Sequence, residues 1–128
     1  MLFKVKPVKI IIYGFNDISL HLAQKLSKNK DVVIIYNQLN SQQKNLEEPD
    51  VIIEEINSGL VTVIKKYITS VETLFIALTI DEEINIFAAQ LAKKLGAAQV
   101  MALVYDRDYS EIDYDIDLIF NPYQILCD

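Results

Sequence analysis

Chemistry in this chain concentrates where an apolar run meets a glycine. Val8-Lys9-Ile10-Ile11-Ile12-Tyr13 is rich in strand-forming residues and stops at Gly14. Phe15, Asn16, Asp17, Ile18 and Ser19 follow, and helical periodicity starts at once. A tight strand-to-helix turn aims backbone N–H groups at whatever lies above the strand end, and phosphate is the usual occupant. The spacing is Gly14-x-Asn16-x-x-Ser19, with one glycine where the dinucleotide fingerprint has three. Asparagine tolerates a left-handed backbone better than most residues, so the turn can still form. Its side chain is expected to crowd a pyrophosphate that needs close backbone approach. Ser19 is small enough to let a helix pack on a strand.

Few other side chains offer chemistry. The single cysteine, Cys127, has no internal disulfide partner, and with the single histidine, His21, it falls far short of a metal set. His21 shares a polar helix side with Gln24, Lys25 and Lys28 and reads as solvated rather than as a catalytic base. Asp106, Asp108, Glu111, Asp113, Asp115 and Asp117 form an acidic stretch without calcium-loop spacing, so it reads as a solvated face. The net charge of −6 argues against a nucleic-acid partner, which needs a basic face. No apolar run approaches the roughly 18 residues of a membrane span, and no signal-peptide core is visible. The expectation is a cytosolic chain that meets a membrane only through a partner or a fused segment.

The elements that position the turn follow from patterning. With 128 residues, 52% of them hydrophobic, one folded domain is expected. Val8–Tyr13 suits a strand buried on both faces. Asp17 to Leu26 reads as a helix capped by Asn16, with Ile18, Leu22 and Leu26 inward and Leu20 and Ala23 widening the stripe. Asp31–Tyr36 is a second strand. Asn37 to Asp50 is polar, with a short helix capped by Ser41 and ended by Pro49. Val51–Ile53 is a third strand, and Leu60–Tyr67 a helix with Val63, Ile64 and Tyr67 inward. Thr73–Leu78 is a fourth strand. Thr79 and Glu82 suggest a capping box for the next helix, whose apolar stripe is Ile84, Phe87, Ala88, Leu91, Ala92 and Leu95. Lys93 and Lys94 suit its C-terminal end, and Gly96 stops it. Val100–Tyr105 is a fifth strand, 108–112 a short helical turn, and Leu118–Phe120 a sixth strand.

This alternation specifies an α/β fold: a doubly wound, six-stranded, mainly parallel, Rossmann-like sheet of order 3-2-1-4-5-6. Its switch point lies between the first and fourth strands. The binding crevice is then walled by Gly14–Ser19, by Tyr36 and Asn37, and by Thr79, Ile80 and Asp81.

Three stretches resemble a known family. Ala77-Leu78-Thr79-Ile80-Asp81-Glu82-Glu83-Ile84-Asn85, with Ala92 to Gly96 closing the helix, is similar to A-L-T-x-D-D-E-x-N and A-K-K-L-G in the N-terminal lobe of RCK domains. These regulators of potassium conductance are also called KTN or Trk-type regulators. Asp117-Leu118-Ile119-Phe120-Asn121-Pro122 is similar to D-x-V-I-x-P before the family's crossover helix, and Tyr105–Tyr109 matches N-D-P-E-Y in part. The resemblance implies a single lobe over residues 1–128, with the crossover helix and C-terminal ligand lobe apparently absent. It implies a cytoplasmic, non-enzymatic module at the inner face of a membrane. Such modules assemble as homo-oligomeric dimers or rings and act on a potassium channel or transporter subunit. The ligand would be a nucleotide: NAD(H), ATP, ADP, AMP, or none.

Departures from that pattern fall on the ligand. Tyr36 stands where an acid would accept the ribose hydroxyls; it can stack on a base or donate one bond, and Asn37 substitutes weakly. Glu55-Ile56-Asn57 stands where the family has G-D-A, and the Ile56 side chain cannot hydrogen-bond an adenine. The alternative function is the cofactor lobe of a small NAD(P)-dependent oxidoreductase. That reading lacks a substrate domain and a proton-transfer constellation. A phosphoacceptor receiver domain would need acids that Gly14-Phe15 and Ile53-Glu54 do not supply.

Overall fold

The structure, a computed structural model, describes residues 9–37, 51–68, 72–110, 112 and 114–121. The elements are β1 (Lys9–Tyr13), α1 (Asp17–Leu26), β2 (Asp31–Tyr36), β3 (Val51–Glu55), α2 (Leu60–Tyr67), β4 (Thr73–Ala77), α3 (Glu82–Leu95), β5 (Gln99–Leu103), α4 (Arg107–Ser110) and β6 (Leu118–Phe120). The strands form one parallel sheet of order β3-β2-β1-β4-β5-β6, as the alternation predicts. β1 lies at its centre, with Ile11 flanked by Val33 and Phe75. The short helix expected between Ser41 and Pro49 lies outside the described residues.

Strand alternation divides the core in two. Ile11, Tyr13, Val33, Ile35, Phe75 and Ala77 face α2 and α3. Ile10, Ile12, Val32, Ile34, Leu74 and Ile76 face the side that α1 covers through Ala23. β1 and β4 are buried on both faces, which is why they read as unbroken apolar runs.

The helices meet the sheet through the stripes read above, except at Ile18 and Phe87, and Leu20, Leu22 and Leu26 of α1 pack at the edge of the core. On α1 the buried residues are Ser19 and Ala23, while Ile18 is 50% exposed. On α3 they are Asn85, Ile86, Ala88, Ala89 and Ala92, while Phe87 is 62% exposed. The sheet surface is crowded with branched side chains, so α1 sets Ser19 and Ala23, and α3 its alanines, closest to it, whereas α2 buries Val63 and Ile64. Close approach then brings more atoms into contact than one large residue would. Ile84, Leu91 and Leu95 remain at the flank of the core.

Element ends differ in places too. β3 extends to Glu55, and α4 begins and ends earlier than the turn expected at 108–112. The N-cap of α3 is Asp81, not Thr79: its carboxylate accepts from Glu83 N at 3.0 Å and Ile84 N at 3.2 Å. Gly96 ends α3 in the left-handed region, at φ 116°. Within the acidic stretch, Asp117 is not merely solvated. It pairs with Lys93 at 2.9 Å and accepts from Val100 N at 2.7 Å, fastening the approach to β6 onto β5.

Candidate functional site

The turn after β1 is held from three sides. Gly14 adopts φ 120°, and its N–H donates to Ile35 O at 2.8 Å. A Cβ here would sit 2.8 Å from Leu78 O and 3.0 Å from Thr79 N, so glycine lets the end of β4 pass against the turn. Asn16 is the N-cap of α1. Its Oδ1 accepts from Ser19 N at 2.9 Å, and Ser19 Oγ accepts from Asn16 N at 2.9 Å. The second and third glycine positions of the fingerprint thus form a capping box that closes on itself. Asn16 Nδ2 also donates to Leu78 O at 2.8 Å, tying the turn to the β4 end. Three N–H groups of the turn, those of Gly14, Asn16 and Ser19, are therefore satisfied within the protein.

The β2 end adjoins this turn. Phe15 is buried and packs its ring on Tyr36 at 5.2 Å between centroids, so that face of Tyr36 is covered. Asn37 accepts from the Tyr13 hydroxyl at 3.4 Å. Ile56 donates its N–H to Tyr36 O at 2.7 Å and packs its side chain on the core, while Asn57 is exposed. Asn16, Asp17, Ile18, Thr79 and Ile80 line a cavity of about 260 Å³ together with Tyr105. Tyr36, Asn37, Ile56 and Asn57 are not among its lining residues. The turn and the β4 end thus share a cavity, while Phe15 links the turn to Tyr36 and Tyr36 O links β2 to Ile56.

Asn85, which patterning passed over, organises the β4 end. It is fully buried. Its Oδ1 accepts from Thr79 N at 2.8 Å and from Thr79 Oγ1 at 2.6 Å; its Nδ2 donates to Thr79 O at 3.0 Å and Leu103 O at 2.8 Å. One side-chain amide thus joins the ends of β4 and β5. An amide is the side chain that both donates and accepts at one locus. The signal for it in the sequence was a polar residue within an otherwise apolar helix arc.

Carboxylates gather around the start of α3. Glu82 accepts from Asp106 N at 2.9 Å, and Glu83 accepts from the Tyr109 hydroxyl. That bond to Glu83, with a smaller contribution from loss of solvent, pushes the Tyr109 phenol up to about 12. Burial, aided by the charge of Asp81, raises the Tyr13 phenol as well. A raised phenol pKa marks a contribution to stability that is present below the ordinary value of 10.0 and is lost as pH climbs through the folded value. Tyrosine-resolved NMR titration is expected to show Tyr109 ionising near pH 12 and returning toward 10 in Glu83→Gln. Among the described residues no group of three or more His, Cys, Asp or Glu is placed to hold a metal, and no helix is long and apolar enough to cross a membrane.

Comparison with known proteins agrees with this architecture. Residues 10–122 match the TrkA-N domain. The chain is 30% identical over 102 residues to the Trk system potassium uptake protein TrkA homolog of Archaeoglobus fulgidus, covering 80% of this chain and 23% of that protein. It is 30% identical over 132 residues to the Trk system potassium uptake protein TrkA of Azorhizobium caulinodans, covering 95% and 28%. For the protein of that name from Vibrio alginolyticus the identity is 31% over 130 residues, covering 93% and 27%. The chain spans about a quarter of the length of these relatives. With the sheet order, the turn at its switch point and this match over nearly all its length, the chain belongs to the TrkA-N domain family.

Proposed function

We propose that this chain is a cytoplasmic regulatory lobe of a potassium uptake system. It carries no catalysis of its own, self-associates, and acts on a membrane-embedded potassium transporter subunit. Support comes from the family and from the relatives' names. The carrying observation is the Asn16–Ser19 box. Those side chains take the place and the N–H partners that a pyrophosphate would use at the second and third glycine positions. The Asn16 side chain stands where a pyrophosphate would need close backbone approach, and the Asp17 carboxylate beside it adds repulsion toward NAD(H), ATP, ADP or AMP. Among the crevice residues, Gly14, Asn16, Ser19, Thr79 and Asp81 act architecturally. The lobe serves as a scaffold for assembly and coupling, not as a tight nucleotide sensor.

Reconstitution tests this. The membrane subunit of the same organism's Trk-type system is placed in liposomes, and rubidium flux is measured with and without the purified chain. A several-fold change in flux with co-sedimentation of the chain is expected. No binding and unchanged flux would contradict the reading.

A further inference from the structure

One stripe of α1 lines a groove rather than the core. Ile18, His21, Leu22 and Lys25 recur at i, i+3, i+4 and i+7 and fall within an arc of about 100°, beside the buried Ser19 and Ala23. Leu78, just past β4, and Phe120, on β6, complete the lining of a groove of about 630 Å³. Phe120 is fixed in place: its carbonyl accepts from Val104 N at 2.9 Å, and the side chain of the next residue, Asn121, donates to Tyr105 O at 2.9 Å. Ile18, the apolar residue of α1 least covered by the core, finds its surroundings here. The charges lie at opposite ends. Asp17 belongs to the first turn of α1 and Lys25 to the last, eight residues on and about 12 Å along the axis. His21 stands between them.

We propose that this groove binds a single-chain anionic amphiphile, a free fatty acid, with its carboxylate at Lys25 and His21 and its acyl chain along Ile18, Leu22, Leu78 and Phe120. The volume lies within the roughly 300–1,000 Å³ of ligand pockets, which are apolar with a few polar groups that fix orientation. A nucleotide or sugar would set most of its polar groups against hydrocarbon here. An acyl chain would not. The methylene stem of Lys25 continues the apolar wall and carries its ammonium to the rim, and the imidazole of His21 can donate a hydrogen bond to a carboxylate. Asp17 already has a partner within the protein, and its charge turns an anionic head away from the other end. The ligand therefore lies in one direction. This site is separate from the potassium reading, and either can fail without the other.

Heteronuclear NMR titration of the chain with sodium dodecanoate, kept below its micelle concentration, tests the site. Saturable shifts at Ile18, Leu22, Leu78 and Phe120 are expected. Affinity is expected to rise about two- to fourfold per methylene from octanoate to dodecanoate, as more of the chain is buried. Ile18→Asp is expected to abolish binding by placing a carboxylate in the apolar wall. Lys25→Glu is expected to weaken dodecanoate about five- to tenfold, because reversal replaces attraction by repulsion at an exposed pair, and to make dodecyltrimethylammonium the tighter ligand. Ile18 and Lys25 are exposed, so circular dichroism of both variants should remain unchanged. Absence of saturable shifts below the micelle concentration, or shifts confined to another surface, would overturn the site. Equal dodecanoate affinity in wild type and Lys25→Glu would mean apolar adsorption without recognition of the head and would overturn the fatty-acid assignment.

Discussion

Replacing Asn85 by alanine is expected to cost about 3–5 kcal/mol of folding stability, measured as the loss in urea-unfolding free energy. The substitution removes a side chain that meets four polar groups: the N–H, O–H and carbonyl of Thr79 and the carbonyl of Leu103. All lie where β4 and β5 end, and Thr79 and Leu103 are themselves buried. Each buried group left without a partner costs about 1–3 kcal/mol, and the small cavity adds to that. Asn85→Asp separates the two halves of the amide. It keeps the acceptor for Thr79 but sets a carboxylate against two carbonyl oxygens, so it is expected to be nearly as damaging above the carboxylate pKa and milder in acid. Thr79→Val, which removes only the hydroxyl, is expected to cost about 1 kcal/mol.

Gly14→Ala is the second large effect, expected at about 3 kcal/mol or more. Two costs combine. A φ of 120° is one that L residues rarely adopt, with a strain of about 1–3 kcal/mol. The new Cβ would also meet Leu78 O at 2.8 Å and Leu78 C at 2.9 Å. Those are backbone atoms of the β4 end, so no rotamer change relieves the contact. Gly59→Ala is the control: its φ is 104°, yet a Cβ there meets nothing within 4 Å. The difference between the two variants reports how tightly the β4 end is pressed onto the turn. Two variants of this size are serious for a domain whose total stability is of order 5–15 kcal/mol.

Both effects arise at the switch point, and both were only half visible in the sequence. The alternation of apolar runs with helical periods carried the sheet order, since parallel strands and right-handed crossovers leave few alternatives. Asn16 as a helix cap was legible from its position before Asp17–Leu26. That Ser19 closes a reciprocal box, and that the Asn16 amide reaches Leu78, was not. The second contact spans 62 residues, and no local pattern encodes it. The inward faces of α1 and α3 follow the expected stripes except at Ile18 and Phe87, which hydrophobic periodicity draws inward by their size. The sheet admits Ser19, Ala23, Ala88 and Ala92 because they are small. The Ala77–Asn85 stretch, which carries the family resemblance most specifically, proves to be the Thr79–Asn85 clamp and the Asp81 cap.

These contacts bear on function through one question: whether the turn after β1 is a ligand cradle or a closed joint. In the closed view Asn16 and Ser19 satisfy each other, the Asn16 amide is tied to Leu78 O, and Phe15 covers Tyr36. Restoring glycine at position 16 removes the box and the tether together. Asn16→Gly should therefore lower stability by about 1–2 kcal/mol while opening the approach to the turn. The most direct test is isothermal titration calorimetry of the wild-type chain with NADH, NAD, ATP, ADP and AMP. No saturable binding of any of them is expected at micromolar ligand. Binding of NADH or ATP with a micromolar Kd, lost in Gly14→Ala and retained in Asn16→Gly, would contradict the closed view.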